Sequence, residues 1–140
     1  MAELKPRGGV SVDKVRNLLR KAAERLADSQ IAAVSLSTRF QAAYDAGFCC
    51  ALAMLEVNNL QSTERGHHRD TLESAAQELG LKGDTAALIP TLVHTRNSDR
   101  YDAASIFTPD MVEATILWAQ RWQAETQSYL EKKSPQALKP

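Results

Sequence analysis

The sequence predicts an all-α protein, a four- to five-helix up-and-down bundle, and three observations carry that reading. Ala, Leu, Glu, Gln and Arg recur with a period of about 3.6 residues. No stretch alternates apolar β-branched residues with polar ones over the length of a strand. Six glycines, five prolines and 6% aromatic residues are too few for a turn-rich β-sandwich.

The first helix is expected from Val12 to Ala27, with Ser11 as N-cap and Asp13 in the first turn. Its apolar stripe is Val15, Leu18, Leu19, Ala22 and Leu26, and Lys14, Arg16, Arg20, Lys21 and Arg25 make a basic outer side. Residues 28–37 are interrupted by polar side chains, and Ser35 or Ser37 can cap a second helix that reaches Val57. From Ala42 to Leu55 that helix is apolar nearly all round, which marks a central element. Its small residues, among them Ala43, Ala46, Gly47 and Cys50, let a neighbouring helix or a second subunit come close.

Residues 58–66 read as a loop. A third helix follows from His68 to Leu79 and ends at Gly80, a natural left-handed cap. Gly83 and Asp84 open a fourth, running to Ser98, with Pro90 either kinking it or marking its true first turn. Thr108 as N-cap, Pro109 at the first helical position, and Asp110 and Glu113 near the positive end of the dipole start a fifth helix that continues to Glu131.

A chain of 140 residues makes one domain, residues 1–140, with residues 1–10 and 132–140 expected to be flexible tails. The 17 Lys and Arg balance 17 Asp and Glu, which excludes a polyanion binder with a uniform positive surface. The balance is a cancellation: residues 1–39 hold eight basic and four acidic side chains, 40–88 hold three and seven, and 89–140 six of each. A confined basic face therefore remains open. The opening MAELKPRGG lacks the apolar run of a secretory leader, and nothing approaches the ~20 apolar residues that span a bilayer, so no membrane contact and a cytoplasmic location are expected. Cys49 and Cys50, adjacent in an apolar run, read as buried reduced thiols. Without a CxxC pattern or histidines at ligand spacing, no metal and no cofactor is expected.

The most informative stretch runs from His94 to Asp102. Arg96 follows Ile89, Leu92 and Val93 at helical spacing, so its guanidinium continues the apolar stripe and has to find an anion or several acceptors. Either a carboxylate such as Asp45, Asp99 or Asp102 holds it and it fixes the bundle, or it projects into a groove where its fork can grip a phosphate.

Ser37 to Ala46 on the second helix, Gly66-His-His-Arg-Asp-Thr-Leu at the start of the third, and Arg96-Asn-Ser-Asp-Arg-Tyr-Asp102 before the last helix together resemble HEPN domains. The likeness covers roughly residues 35–130, with the three motifs in the same order as in the family. It implies a four- or five-helix bundle, commonly homodimeric, whose active members are metal-independent ribonucleases of toxin–antitoxin and phage-defence systems. In those members an Arg, the polar residue after it and a His about five positions on meet their symmetry mates in a cleft between subunits. By that resemblance Arg96 is the Arg and Asn97 the polar residue, but Tyr101 stands at the position of the His. A phenol titrating near ~10 is a poor general base at neutral pH. The chain thus resembles a branch that keeps Arg-Asn…Tyr-Asp and lacks the catalytic His. Tyr44 and Asp45 match the Tyr-containing stretch of the family; a buried hydroxyl and a partner for Arg96 are their structural roles.

His94 lies two residues before Arg96 on another helix face, and His67 and His68 start a helix where a His more often caps or packs. Trp118 and Trp122 suit core or interface packing better than a base-stacking platform, because Glu and Gln surround them. The candidate ligand-binding residues are Arg96, Asn97, Arg100, Tyr101, Tyr44 and Asp45, with Arg96, Asn97 and Tyr101 as the candidates for any catalytic role. The expected function is an RNA- or nucleotide-binding HEPN-like homodimer without efficient cleavage, in a toxin–antitoxin or defence system. The alternatives are a protein-interaction bundle, such as the partner of a cognate antitoxin, in which the cluster is purely structural, and a metal-independent ribonuclease.

Overall fold

The computed structural model describes residues 4–6, 9–62, 68–102 and 106–139, without the side chains of residues 4–6, 61–62 and 101–102. It is an all-α bundle. In chain order the elements are strand β1 (Leu4–Pro6), helices α1 (Val12–Ser29) and α2 (Leu36–Val57), strand β2 (Leu60–Ser62), helices α3 (His68–Leu79), α4 (Asp84–Ala87) and α5 (Ile89–Asn97), a π-helical turn (Ser98–Asp102), helix α6 (Pro109–Lys133) and a 3-10 turn (Pro135–Leu138).

The local start signals act as their chemistry requires. Ser11, Ser35 and Thr108 each accept a hydrogen bond from the backbone N–H three residues on, at Lys14, Thr38 and Met111. Gly80 closes α3 with φ of 71°, a left-handed conformation that costs glycine nothing. The expected helix 84–98 is two pieces. It breaks at Leu88, so Pro90 stands in the first turn of α5, where its missing N–H deprives no carbonyl.

Helix α2 is the centre of the molecule. It packs most extensively on α1 and next on α6. Phe40, Ala43, Tyr44, Cys50, Ala51, Ala53 and Met54 are all buried. Gly47 explains the small-residue stripe. A Cβ there would stand 2.4 Å from Cζ3 of Trp118, so only a hydrogen lets the indole of α6 lie against the α2 backbone. Trp118 and Trp122 are core residues, 3% and 0% exposed, and Trp118 Nε1 donates to the Thr85 carbonyl at 2.9 Å.

Two features depart from the sequence expectation. β1 and β2 pair as an antiparallel ribbon, Leu4 opposite Ser62, Lys5 opposite Gln61 and Pro6 opposite Leu60, where a tail and a loop were expected. Strands of three residues are too short to show alternation. Residues 132–138 are also part of the fold: α6 runs to Lys133, and the 3-10 turn buries Ala137 against the core. Arg16 holds it from α1, donating from Nε (3.1 Å) and Nη2 (2.8 Å) to the Gln136 carbonyl.

Glu56 is buried among apolar neighbours at 1% exposure. It accepts from the Ser11 backbone N–H at 3.1 Å and meets Lys14 Nζ at 3.4 Å, so the start of α1 is tied to the end of α2. No helix among the described residues is long and apolar enough to cross a membrane.

Candidate functional site

Helix α2 presents Ser37, Gln41 and Asp45, one turn apart on one face, to the π-helical turn that follows Arg96. Asp99 in that turn accepts from Ser37 Oγ at 2.7 Å and from Gln41 Nε2 at 3.0 Å. These two bonds, both accepted by Oδ2, fasten the π-helical turn to α2. The widened turn re-aims the side chains just after Arg96, a frequent use of π geometry.

Arg96 is half-buried and has neither of the carboxylate partners, Asp45 or Asp99, that the sequence allowed within the described side chains. Its Nη1 donates to Oδ1 of its own neighbour Asn97 at 3.0 Å, its Cζ stands 5.7 Å from the centroid of the Tyr44 ring, and its buried Nε has no hydrogen-bond partner among the described residues. The ring face offers a cation electrostatic attraction but no acceptor atom. Asp102 and Tyr101 lie outside the residues whose side chains are described. Asn97 and Arg100 are exposed, and Arg100 makes no hydrogen bond or ion pair to a described residue.

Tyr44 is fully buried in an aromatic stack with Phe40, Phe48, Trp118 and His68. Its hydroxyl lies 3.0 Å from His68 Nδ1, and the imidazole stacks on Phe48 with centroids 4.1 Å apart. Burial, above all, pushes the Tyr44 phenol well above its ordinary range, so it remains a donor. The His68 imidazole is lowered to about 4, first by burial and then by the guanidinium charges of Arg96 and Arg100. At neutral pH it is uncharged.

Asp45 is part-buried on α2. Its carboxyl is raised by burial, against the opposing pull of Arg96, Arg25, Arg100 and Lys21. The basic side of α1 therefore reaches the site through Lys21 and Arg25, whereas Lys14 and Arg16 hold the fold together.

The structure thus brings together Tyr44, Asp45, Arg96, Asn97 and Arg100, and it adds His68, which sequence reasoning discounted. Only its place in the second motif, at the start of α3, pointed to it, since the hydrogen bond to Tyr44 crosses from α2 to α3. His94 is exposed, and His67 lies outside the described residues. Among the described residues no three His, Cys, Asp or Glu side chains stand together as a metal site. Chemically the cluster offers two guanidiniums, an amide and a neutral imidazole, a donor-rich set suited to an oxyanion. No protein-family model matches the chain, and a search of curated proteins finds no match.

Proposed function

We propose that the protein is a HEPN-like domain that binds RNA or a nucleotide through Arg96, Asn97 and Arg100 and does not cleave it efficiently, working as a homodimer in a toxin–antitoxin or defence system. One observation carries the proposal: the half-buried Arg96 guanidinium has a buried, unpartnered Nε and no carboxylate among the described side chains. A partly desolvated cation is expensive without a counter-anion, and a phosphate would supply charge and acceptors together. The lack of efficient cleavage follows from the available groups. Tyr101 stands where a ribonuclease of this family has its His, and His68, lowered to about 4 and tied at Nδ1 to Tyr44, is a weak base at neutral pH.

The test is anisotropy of a labelled single-stranded RNA at increasing salt, with the recovered RNA inspected for 2′,3′-cyclic phosphate ends. Binding is expected with a slope of log K against log salt of about −1.4, as two phosphate contacts require, and without cyclic ends. No binding at low salt overturns the proposal; cyclic ends would make the protein a ribonuclease.

The second reading, a partner-binding bundle without nucleic-acid activity, is favoured by the exposure of two large apolar side chains, Ile106 (85%) just before α6 and Leu117 (65%) in its third turn. Under it the same RNA does not bind.

A further inference from the structure

A cleft of about 320 Å³ lies between the outer side of α1, the second half of α6 and the 3-10 turn, and none of the groups around Arg96 lines it. Spacings of three and four residues put Arg16, Leu19, Arg20 and Ala23 on one face of α1, and Gln123 and Gln127 stand one turn apart on α6. Leu138 and Lys139 close the cleft from the 3-10 turn and the residue after it. The hollow exists because its floor is built of small side chains, with Ala22 and Ala137 buried at its base. Leu19 and Leu138 pack on the core but are only partly covered, so aliphatic surface is left bare inside.

The polar groups of the cleft are of one kind. Three cations line it and no acidic side chain does. Arg16 is committed to the Gln136 carbonyl and to Asp13. Arg20 is not: its Nη1 reaches only the neutral Asn17 amide, at 3.3 Å, and it has no carboxylate among the described residues. The side chains of Lys139, Gln123 and Gln127 make no hydrogen bond or ion pair to a described residue. Charges of one sign on low-dielectric concave walls focus their field into the cleft, which favours an anion there. Neighbouring apolar walls favour a ligand that is not all head. Cavities of about 300 Å³ and above, largely apolar with a few convergent polar groups, take ligands of this class.

We propose that this cleft binds a small amphiphilic anion, a short aliphatic chain with a single carboxylate or phosphate head. The head lies between Arg20 and Lys139, where the Gln123 or Gln127 amide adds an N–H donor, and the chain lies on Leu19, Ala23 and Leu138. The site is independent of the anion bound at Arg96.

The test follows amide chemical shifts of the full chain at pH 7 during titration with butanoate, hexanoate, octanoate, octyl phosphate and octylammonium. Shifts are expected in residues 16–23, 123–127 and 136–139, with affinity rising about fourfold for each CH₂ added to the carboxylate. Octylammonium is expected not to saturate these shifts, and the tighter of octanoate and octyl phosphate identifies the head. Arg20→Gln combined with Lys139→Gln should weaken both anions at least tenfold. Ala23→Leu, which fills the cleft with a good helix former, should remove binding. All three positions are exposed, and unchanged melting temperatures show that the variants are folded. No shift with either octyl anion at millimolar concentration overturns the site. So does octylammonium binding as tightly as octanoate, an affinity that ignores chain length, or octanoate binding that survives in folded Ala23→Leu.

Discussion

The Tyr44 hydroxyl and Nδ1 of His68 lie 3.0 Å apart, joining the middle of α2 to the first residue of α3 beneath the Arg96 guanidinium. The buried phenol keeps its proton and has no other partner among the described residues, so it donates to Nδ1 and the neutral imidazole carries its own proton on Nε2. His68 is thereby a donor beside two guanidiniums, which completes a set of groups that favours an anion.

A chemical-shift titration of the His68 ring is expected to give a pKa of about 4, below the ordinary histidine value of 6.5, and Arg96→Ala is expected to move it upward. Because the folded pKa lies below the unfolded one, the unfolded chain binds more protons between the two values. This group's contribution to stability is complete above about 6.5 and is lost as the pH falls towards about 4. His68→Gln should flatten that part of the melting-temperature profile. An unchanged profile would show that His68 is not buried against these charges.

Gly47→Ala brings two effects into competition. Alanine in place of glycine favours a helix by about 1 kcal/mol. Against this, the new Cβ would stand 2.4 Å from the ring of a Trp118 that is only 3% exposed, and overpacking of a core costs about 1–3 kcal/mol. Net destabilisation of up to about 2 kcal/mol is expected in urea unfolding, and Gly47→Ala with Trp118→Phe should recover part of it.

Cys49 and Cys50 are 5% and 0% exposed, and burial raises both thiols, that of Cys50 up to about 12. A chromogenic thiol reagent at pH 8 is expected to find neither in the native protein and both after unfolding.

Arg16→Ala removes both hydrogen bonds to the Gln136 carbonyl. A loss of about 1 kcal/mol is expected, with faster amide exchange confined to the 3-10 turn and the end of α6.

Much of the bundle was legible because its signals are local. The caps at Ser11, Ser35 and Thr108 and the glycine at position 80 act within three or four residues of themselves. The contacts that were not legible are long-range. The 3-10 turn depends on Arg16, which lies 120 positions away, and the β1–β2 ribbon pairs the beginning of the chain with residues 60–62. At the site, the sequence placed Arg96 against apolar neighbours, and the structure keeps it half-buried. That it would meet the face of Tyr44 and neither Asp45 nor Asp99 depends on how α5 crosses α2. The share of His68 was hidden for the same reason: a lone His at a helix start carries no local sign of the hydroxyl it will meet.

The most direct test of Arg96 as an anion-binding group is a paired measurement on Arg96→Ala, its melting temperature and its affinity for single-stranded RNA. Hydrogen bonds to charged groups are worth about 1.5–3 kcal/mol, so affinity should fall at least tenfold. Stability should stay within about 0.5 kcal/mol of wild type, because Arg96 makes no ion pair to a described side chain. A melting temperature lowered by several degrees with RNA affinity unchanged would contradict this and make Arg96 a structural residue.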